Sequence, residues 1–203
     1  MNLHITRPSA LVGLVLWAGS ALAQSPTVTR LRGTIAQFEG TQLVVAIPGS
    51  PARTVTVPGT ARVAAVGRAE LSDIRPGTYV GAAAVPGPDG TLRALEVLVF
   101  PEAMRGAGEG HRSWDLQPDS TMTNATVANA EARVDGRTMT LTYKDGEKQV
   151  VVPADAPIVT LIPADQSDLK SGAKAVVTVA TGGDGVPLVT SIVVGKDGVD
   201  PPM

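Results

Sequence analysis

The sequence of 203 residues has no cysteine. That excludes disulfides, thiolate metal sites, a cysteine nucleophile and a lipid anchor on an N-terminal cysteine. Aromatic residues are scarce, at 3%, and there are two histidines. The apolar content, 43% of the chain, is therefore mostly Val, Ala, Leu and Ile, enough for a core built without large rings. A strong charge of either sign is missing as well. A net charge of -2 and a pI near 5.7 argue against holding nucleic acid or anionic membrane through a broad positive field. The apolar stretch from Ala10 to Ala21 is well short of the roughly 20 residues that span a bilayer as a helix. Backbone punctuation, by contrast, is abundant, with 22 Gly and 16 Pro, so long helices are disfavoured.

Residues 1–23 read as an export signal. Arg7 and His4 precede the apolar stretch, and Ala21-Leu22-Ala23 places small residues at the two positions a signal peptidase reads. The expectation is a periplasmic or secreted protein cleaved before Gln24, with 180 residues, one histidine and one tryptophan. Mass spectrometry of the exported protein should find Gln24 first, and an intact Met1 in the mature pool would overturn this reading.

The remaining chain repeats itself. Displaced by 95 positions, Thr54–Val99 aligns without a gap on Gln149–Val194, with 12 identities in 46 pairs. Among them are Val57/Val152, Pro58/Pro153, Ser72/Ser167, Asp73/Asp168, Gly77/Gly172 and Asp89/Asp184. The expected organisation is a module over 24–100, a linker over 101–124 and a second module over 125–203. Within each module the hydrophobic period is two, and Glu-Gly, Pro-Gly-Ser-Pro, Pro-Gly-Thr and Asp-Gly turns separate short strands. Ser72-Asp73-Ile74-Arg75 and Ser167-Asp168-Leu169-Lys170 predict one capped helical turn per module, through hydroxyl or carboxylate, each ending near a glycine. The fold class expected is all-β: two homologous small OB-like β-barrels in tandem, each with one short helical turn. A β-sandwich is the alternative.

The module pattern combines an apolar strand with Glu-Gly or Asp-Gly, Val-x-Val-Pro, Ser-Asp-[Ile/Leu]-[Arg/Lys]-x-Gly, Asp-Gly and a Val-rich last strand. In this it resembles the uncharacterised OB-like domains found in tandem in bacterial exported proteins. The resemblance covers nearly all of the chain after residue 23. It implies fold and export, and brings no catalytic residues.

Residues 101–124 belong to neither repeat, yet hold His111, Trp114, Glu109, Arg112, Asp115 and Asp119. Gly106, Gly108 and Gly110 with Pro101 and Pro118 suit an ordered loop laid across the modules. One reading has Trp114 plugging the groove between modules and Arg112 pairing with Asp115. The other makes Arg112 and Trp114 a ligand or partner site. Glu109, His111 and Asp115 offer one imidazole and two carboxylates, a donor set for Zn, Mn or Ni, although no rigid helix fixes their spacing. No catalytic motif occurs. Ser167-x-x-Lys170 has the spacing of a serine–lysine pair, but its repeat partner is Ser72-x-x-Arg75, and arginine cannot serve as a base. The functional expectation is a non-enzymatic protein that binds an envelope protein or a small ligand, without nucleic acid. The alternative is a metal-binding accessory protein that uses the linker.

Overall fold

The computed structural model describes residues 27–134, 136–181 and 185–202; the expected signal segment and cleavage before Gln24 lie outside them. The chain is all-β. Its strands are β1 (Thr27–Glu39), β2 (Gln42–Ala46), β3 (Arg53–Thr56), β4 (Arg62–Arg68), β5 (Tyr79–Pro86), β6 (Leu92–Val99) and β7 (Gly110–Ser113). They continue as β8 (Thr121–Arg133), β9 (Gly136–Tyr143), β10 (Gly146–Pro153), β11 (Ile158–Pro163), β12 (Lys174–Thr181) and β13 (Pro187–Gly195). Period-two burial explains them: in β2, Leu43 and Val45 are fully buried while Gln42 and Ala46 are exposed. The β9–β10 hairpin turns at Lys144-Asp145, where the Asp-Gly signal stands.

The two predicted helical turns are single 3-10 turns, Leu71–Asp73 and Gln166–Asp168. Carboxylates cap both. Glu70 and Asp165 lie at the N-cap, and Asp73 and Asp168 reach back to the N-cap backbone. At the second turn the Ser167 backbone N–H donates to Asp165 at 2.7 Å, so its hydroxyl is not the cap. Asp165→Ala should cost about 1 kcal/mol, whereas Ser167→Ala should leave chemical denaturation unchanged within about 0.5 kcal/mol.

All thirteen strands join one hydrogen-bonded sheet. At one end β10-β9-β8-β5-β6 closes into a five-stranded barrel, because β6 also pairs in parallel with β10 at Leu92–Val150 and Arg93–Val151. At the other end the order β3-β2-β1-β12-β13 runs in the same sense, and no ladder between β3 and β13 closes it among the described residues. Two strands bridge the ends: β4 lies against β13 and β11 against β6, and they pair antiparallel through Val66–Leu161. Among the described residues no helix is long and apolar enough to cross a membrane.

These ladders divide the chain differently from the modules expected over 24–100 and 125–203. The closed barrel and its core, from Ile74 to Val152, are one contiguous stretch. The second core joins Ile35–Ala65 to Leu169–Val194, from the two ends of the chain. Each set of five strands thus takes three from one repeat and two from the other. The two cores distribute their bulk differently. The closed barrel sets Met139 and Leu141 beside the small Ala82, Ala84 and Ala94. At equivalent places the second core sets Leu43 and Val45 beside Val177, Val179 and Val189.

Candidate functional site

The outer faces of the two strand sets meet along a seam whose chemistry changes from end to end. One end is apolar, with Val66, Leu98 and Val159 buried and Phe100, Leu161 and Val193 packed on them. The other end is polar and is built largely by residues 101–124. There β7 pairs with β8 from Gly110–Asn124 to Ser113–Thr121, so the predicted linker is half of a hairpin, and β8 begins before the expected module start at residue 125. Buried Ser120 closes that hairpin: its hydroxyl donates toward the Trp114 and Gln117 carbonyls, while the Trp114 N–H donates to the Ser120 carbonyl at 2.8 Å.

The hairpin delivers half-buried Trp114 to β1. The Arg30 guanidinium lies 3.8 Å from the indole centroid and that of Arg112 5.5 Å. Arg32, two residues along the same face of β1, donates to Asp115 at 2.8 Å, and Arg30 stands 3.5 Å from the same carboxylate. Burial alone would raise the Asp115 carboxyl, but the hydrogen bond from Arg32 and the charges of both arginines hold it below its ordinary value. Arg112 is shifted downward, first by burial and then by the like charge of Arg30. Its Nη1 donates to the Gly108 carbonyl at 2.8 Å.

Trp114, Arg30 and Arg112 border a cleft of about 340 Å³ that Val176, Thr178, Ser191, Val193 and Arg62 also line. Buried Asn124 reaches it from β8, its amide nitrogen donating to the Ala107 carbonyl at 2.9 Å. Gly81 makes that packing possible, since a β-carbon there would lie 2.8 Å from Asn124 Oδ1 and 3.1 Å from the Phe100 ring. Unsatisfied polar atoms concentrate along this seam: Trp114 Nε1, Asn124 Oδ1, Arg32 Nε and both carboxylate oxygens of Glu96 are buried without a hydrogen-bond partner. Glu96, on β6, is 2% exposed.

Compared with protein-family models, curated proteins and solved structures, the chain matches none of them.

The residues singled out in the sequence fall into two groups. Arg112 and Trp114 come together in the cleft. The proposed metal donors disperse: the Glu109 carboxylate accepts from the Lys144 N–H at 3.0 Å, His111 Nδ1 lies 2.8 Å from the Thr123 hydroxyl, and Asp115 holds Arg32 and Arg30. Among the described residues no three His, Asp or Glu side chains are grouped to hold a metal ion. Strand pairing causes the dispersal, because His111 sits beside Thr123 on β8 while Asp115 lies beyond the end of β7 and reaches across to β1. Arg112 does not pair with Asp115, whose partners are the two β1 arginines. Burial lowers the His111 pKa first, with the positive charges of Lys148 and Arg112 adding to it, so this imidazole is neutral at pH 7. Thr123 is fully buried, so the His111–Thr123 contact offers no hydroxyl to a substrate. No hydrogen bond joins Ser167 to Lys170, and both are exposed.

Arg30, Arg62, Thr178 and Ser191 escaped the sequence reading, and Asn124, expected as a turn residue before the second module, instead lies inside β8, paired with Gly81 on one side and Gly110 on the other. Only Arg30 left a trace there: Arg30 and Arg32 put two charges at alternate positions of an apolar strand, marking a face turned away from the core.

Proposed function

We propose that this chain is an exported, non-enzymatic binding protein of the cell envelope that takes a small ligand in the cleft at Trp114. The observation that carries the reading is the meeting of an aromatic face, three guanidinium groups and unsatisfied buried polar atoms in one concave space between two strand sets. A core position would have satisfied those polar atoms or replaced them with apolar ones. The export pattern of residues 1–23 supports the location. The dispersal of Glu109, His111 and Asp115 leaves the metal alternative without a donor set.

The proposal extends to architecture. With β8, β9 and β10 taken as strands one to three and β5 and β6 as strands four and five, the closed barrel runs first–second–third–fifth–fourth and back to the first, with the third (β10) and fifth (β6) parallel, which is the order of an OB fold. We read the molecule as two OB-like repeats that have exchanged their last two strands within one chain.

The test is a small-molecule screen against residues 24–203 by thermal shift, with Trp114 emission as a local readout. A bound compound at 100 times its Kd adds about 2.7 kcal/mol of stability. It should raise Tm by several degrees and move the emission of Trp114, and both responses should vanish in Thr178→Phe, which fills the cleft without adding a second indole. Stabilising compounds that act equally on Thr178→Phe, or none that moves Trp114 emission, would overturn the reading. In the free protein, Trp114 emission should be blue-shifted and shielded from iodide. A water-like maximum with fast quenching would mean that the hairpin does not hold the indole against Arg30.

A further inference from the structure

The Trp114 cleft does not end at Arg62. A second hollow of about 480 Å³ continues from it, and the two share Arg62, Ala107, Ser191 and Val193. The ends of this joined space differ in chemistry. Around Trp114 stand Arg30, Arg62 and Arg112, and no acidic side chain lines that end. Asp115 engages Arg30 together with Arg32, whereas no salt bridge occupies Arg62 or Arg112 among the described residues. Beyond Ala107 the lining is Val63, Ala64, Met104, Leu161 and Val193, and Met104 is 38% exposed where large apolar side chains usually find cover.

Resting on the reading of the cleft as a ligand site, we propose that the joined space binds an amphipathic organic anion. A carboxylate or phosphate head would lie between Arg62 and Arg112, and an aliphatic tail along Met104 and Leu161. Charge complementarity selects the head. Arg112 shares one indole with Arg30, whose like charge disfavours its own, and an anion held between Arg112 and Arg62 offsets that repulsion while receiving paired N–H donors. The Ser191 hydroxyl stands where the two hollows join and can donate to the same head. Apolar burial selects the tail, and each methylene that enters the groove should tighten binding about fourfold.

The experiment titrates residues 24–203 with decanoate, octanoate, acetate, decyl phosphate and decyltrimethylammonium below their micellar concentrations, read by calorimetry and Trp114 emission. Decanoate should bind about 10-fold or more tighter than octanoate, acetate should not saturate, and the cation should not bind. The ratio of decanoate to decyl phosphate affinity identifies the preferred head. Exposed Arg62 can be changed without loss of packing, and Arg62→Gln should weaken decanoate at least tenfold with an unchanged far-ultraviolet spectrum. Met104→Ser should flatten the chain-length dependence. Equal binding of the cation and decanoate, decanoate affinity within twofold in Arg62→Gln, or no decanoate binding would each overturn the proposal. If decanoate fails while another compound moves Trp114 emission and is lost in Thr178→Phe, the ligand class is wrong and the cleft reading stands. If no compound does so, both fall.

Discussion

Residues 70–158, expressed alone, should fold into a stable barrel, whereas residues 24–100 and residues 125–203 should each fail to do so. The first piece contains every strand of the closed barrel and all the side chains of its core, including Leu71 and Ile158 at the margins. Nothing in that core comes from outside it, and domains of this size fold without disulfides when the core is complete. The two repeat-bounded pieces each carry three strands of one core and two of the other. Piece 24–100 therefore carries the apolar faces of β1–β3 and of β5–β6 without the strands that cover them in the intact molecule, and piece 125–203 does the same for β8–β10 and β12–β13. Uncovered apolar faces remove most of the burial on which so small a domain depends. Dispersed amide spectra and cooperative melting for 70–158 alone are the expected result. A cooperatively folded 24–100 would mean that each repeat closes on itself.

The second large effect concerns Glu96. Burial pushes its carboxyl from the ordinary 4.5 up to about 8, and the positive charge of Arg32 offsets only part of the rise. The folded protein therefore keeps a proton that the unfolded chain has released between these two values. The stability associated with Glu96 is present below pH 4.5, declines as pH rises toward 8, and is flat above. The total is on the order of 5 kcal/mol. Asp115 works in the opposite direction, since its lowered carboxyl contributes stability that is lost only as the solution becomes more acidic than its ordinary range. Urea denaturation from pH 5 to pH 8 should show the native protein losing several kcal/mol, and Glu96→Gln should remove most of that slope. At pH 8, Glu96→Leu should be more stable than the parent, because it removes two unpartnered oxygens from a site that is 2% exposed. A native profile flat across this range would place Glu96 in contact with solvent.

Much of this molecule is written locally. Alternation such as Leu43 and Val45 buried between exposed Gln42 and Ala46 sets strands, because a pleated strand offers its side chains to opposite faces. Asp-Gly sets the β9–β10 turn, and paired carboxylates at Glu70/Asp73 and Asp165/Asp168 set the two short helical turns within four residues. Trp114 and Arg112 stood out because a spacer has no local need for an indole and a guanidinium. Pairing between distant strands is different, since homologous repeats carry edges that fit each other as well as themselves, and no local pattern says which hairpin closes which barrel. Tertiary structure decided that: β8, β9 and β10 close on β5 and β6, while β1 and β2 continue into β12 and β13, because which apolar faces meet is set by ladders between strands far apart in the chain. The same decision brought Arg30 and Arg62 from one strand set to Trp114 and Asn124 of the other, and carried Glu109, His111 and Asp115 to separate partners. The composition of the cleft follows from the exchange of strands, because its two walls come from residues far apart along the chain.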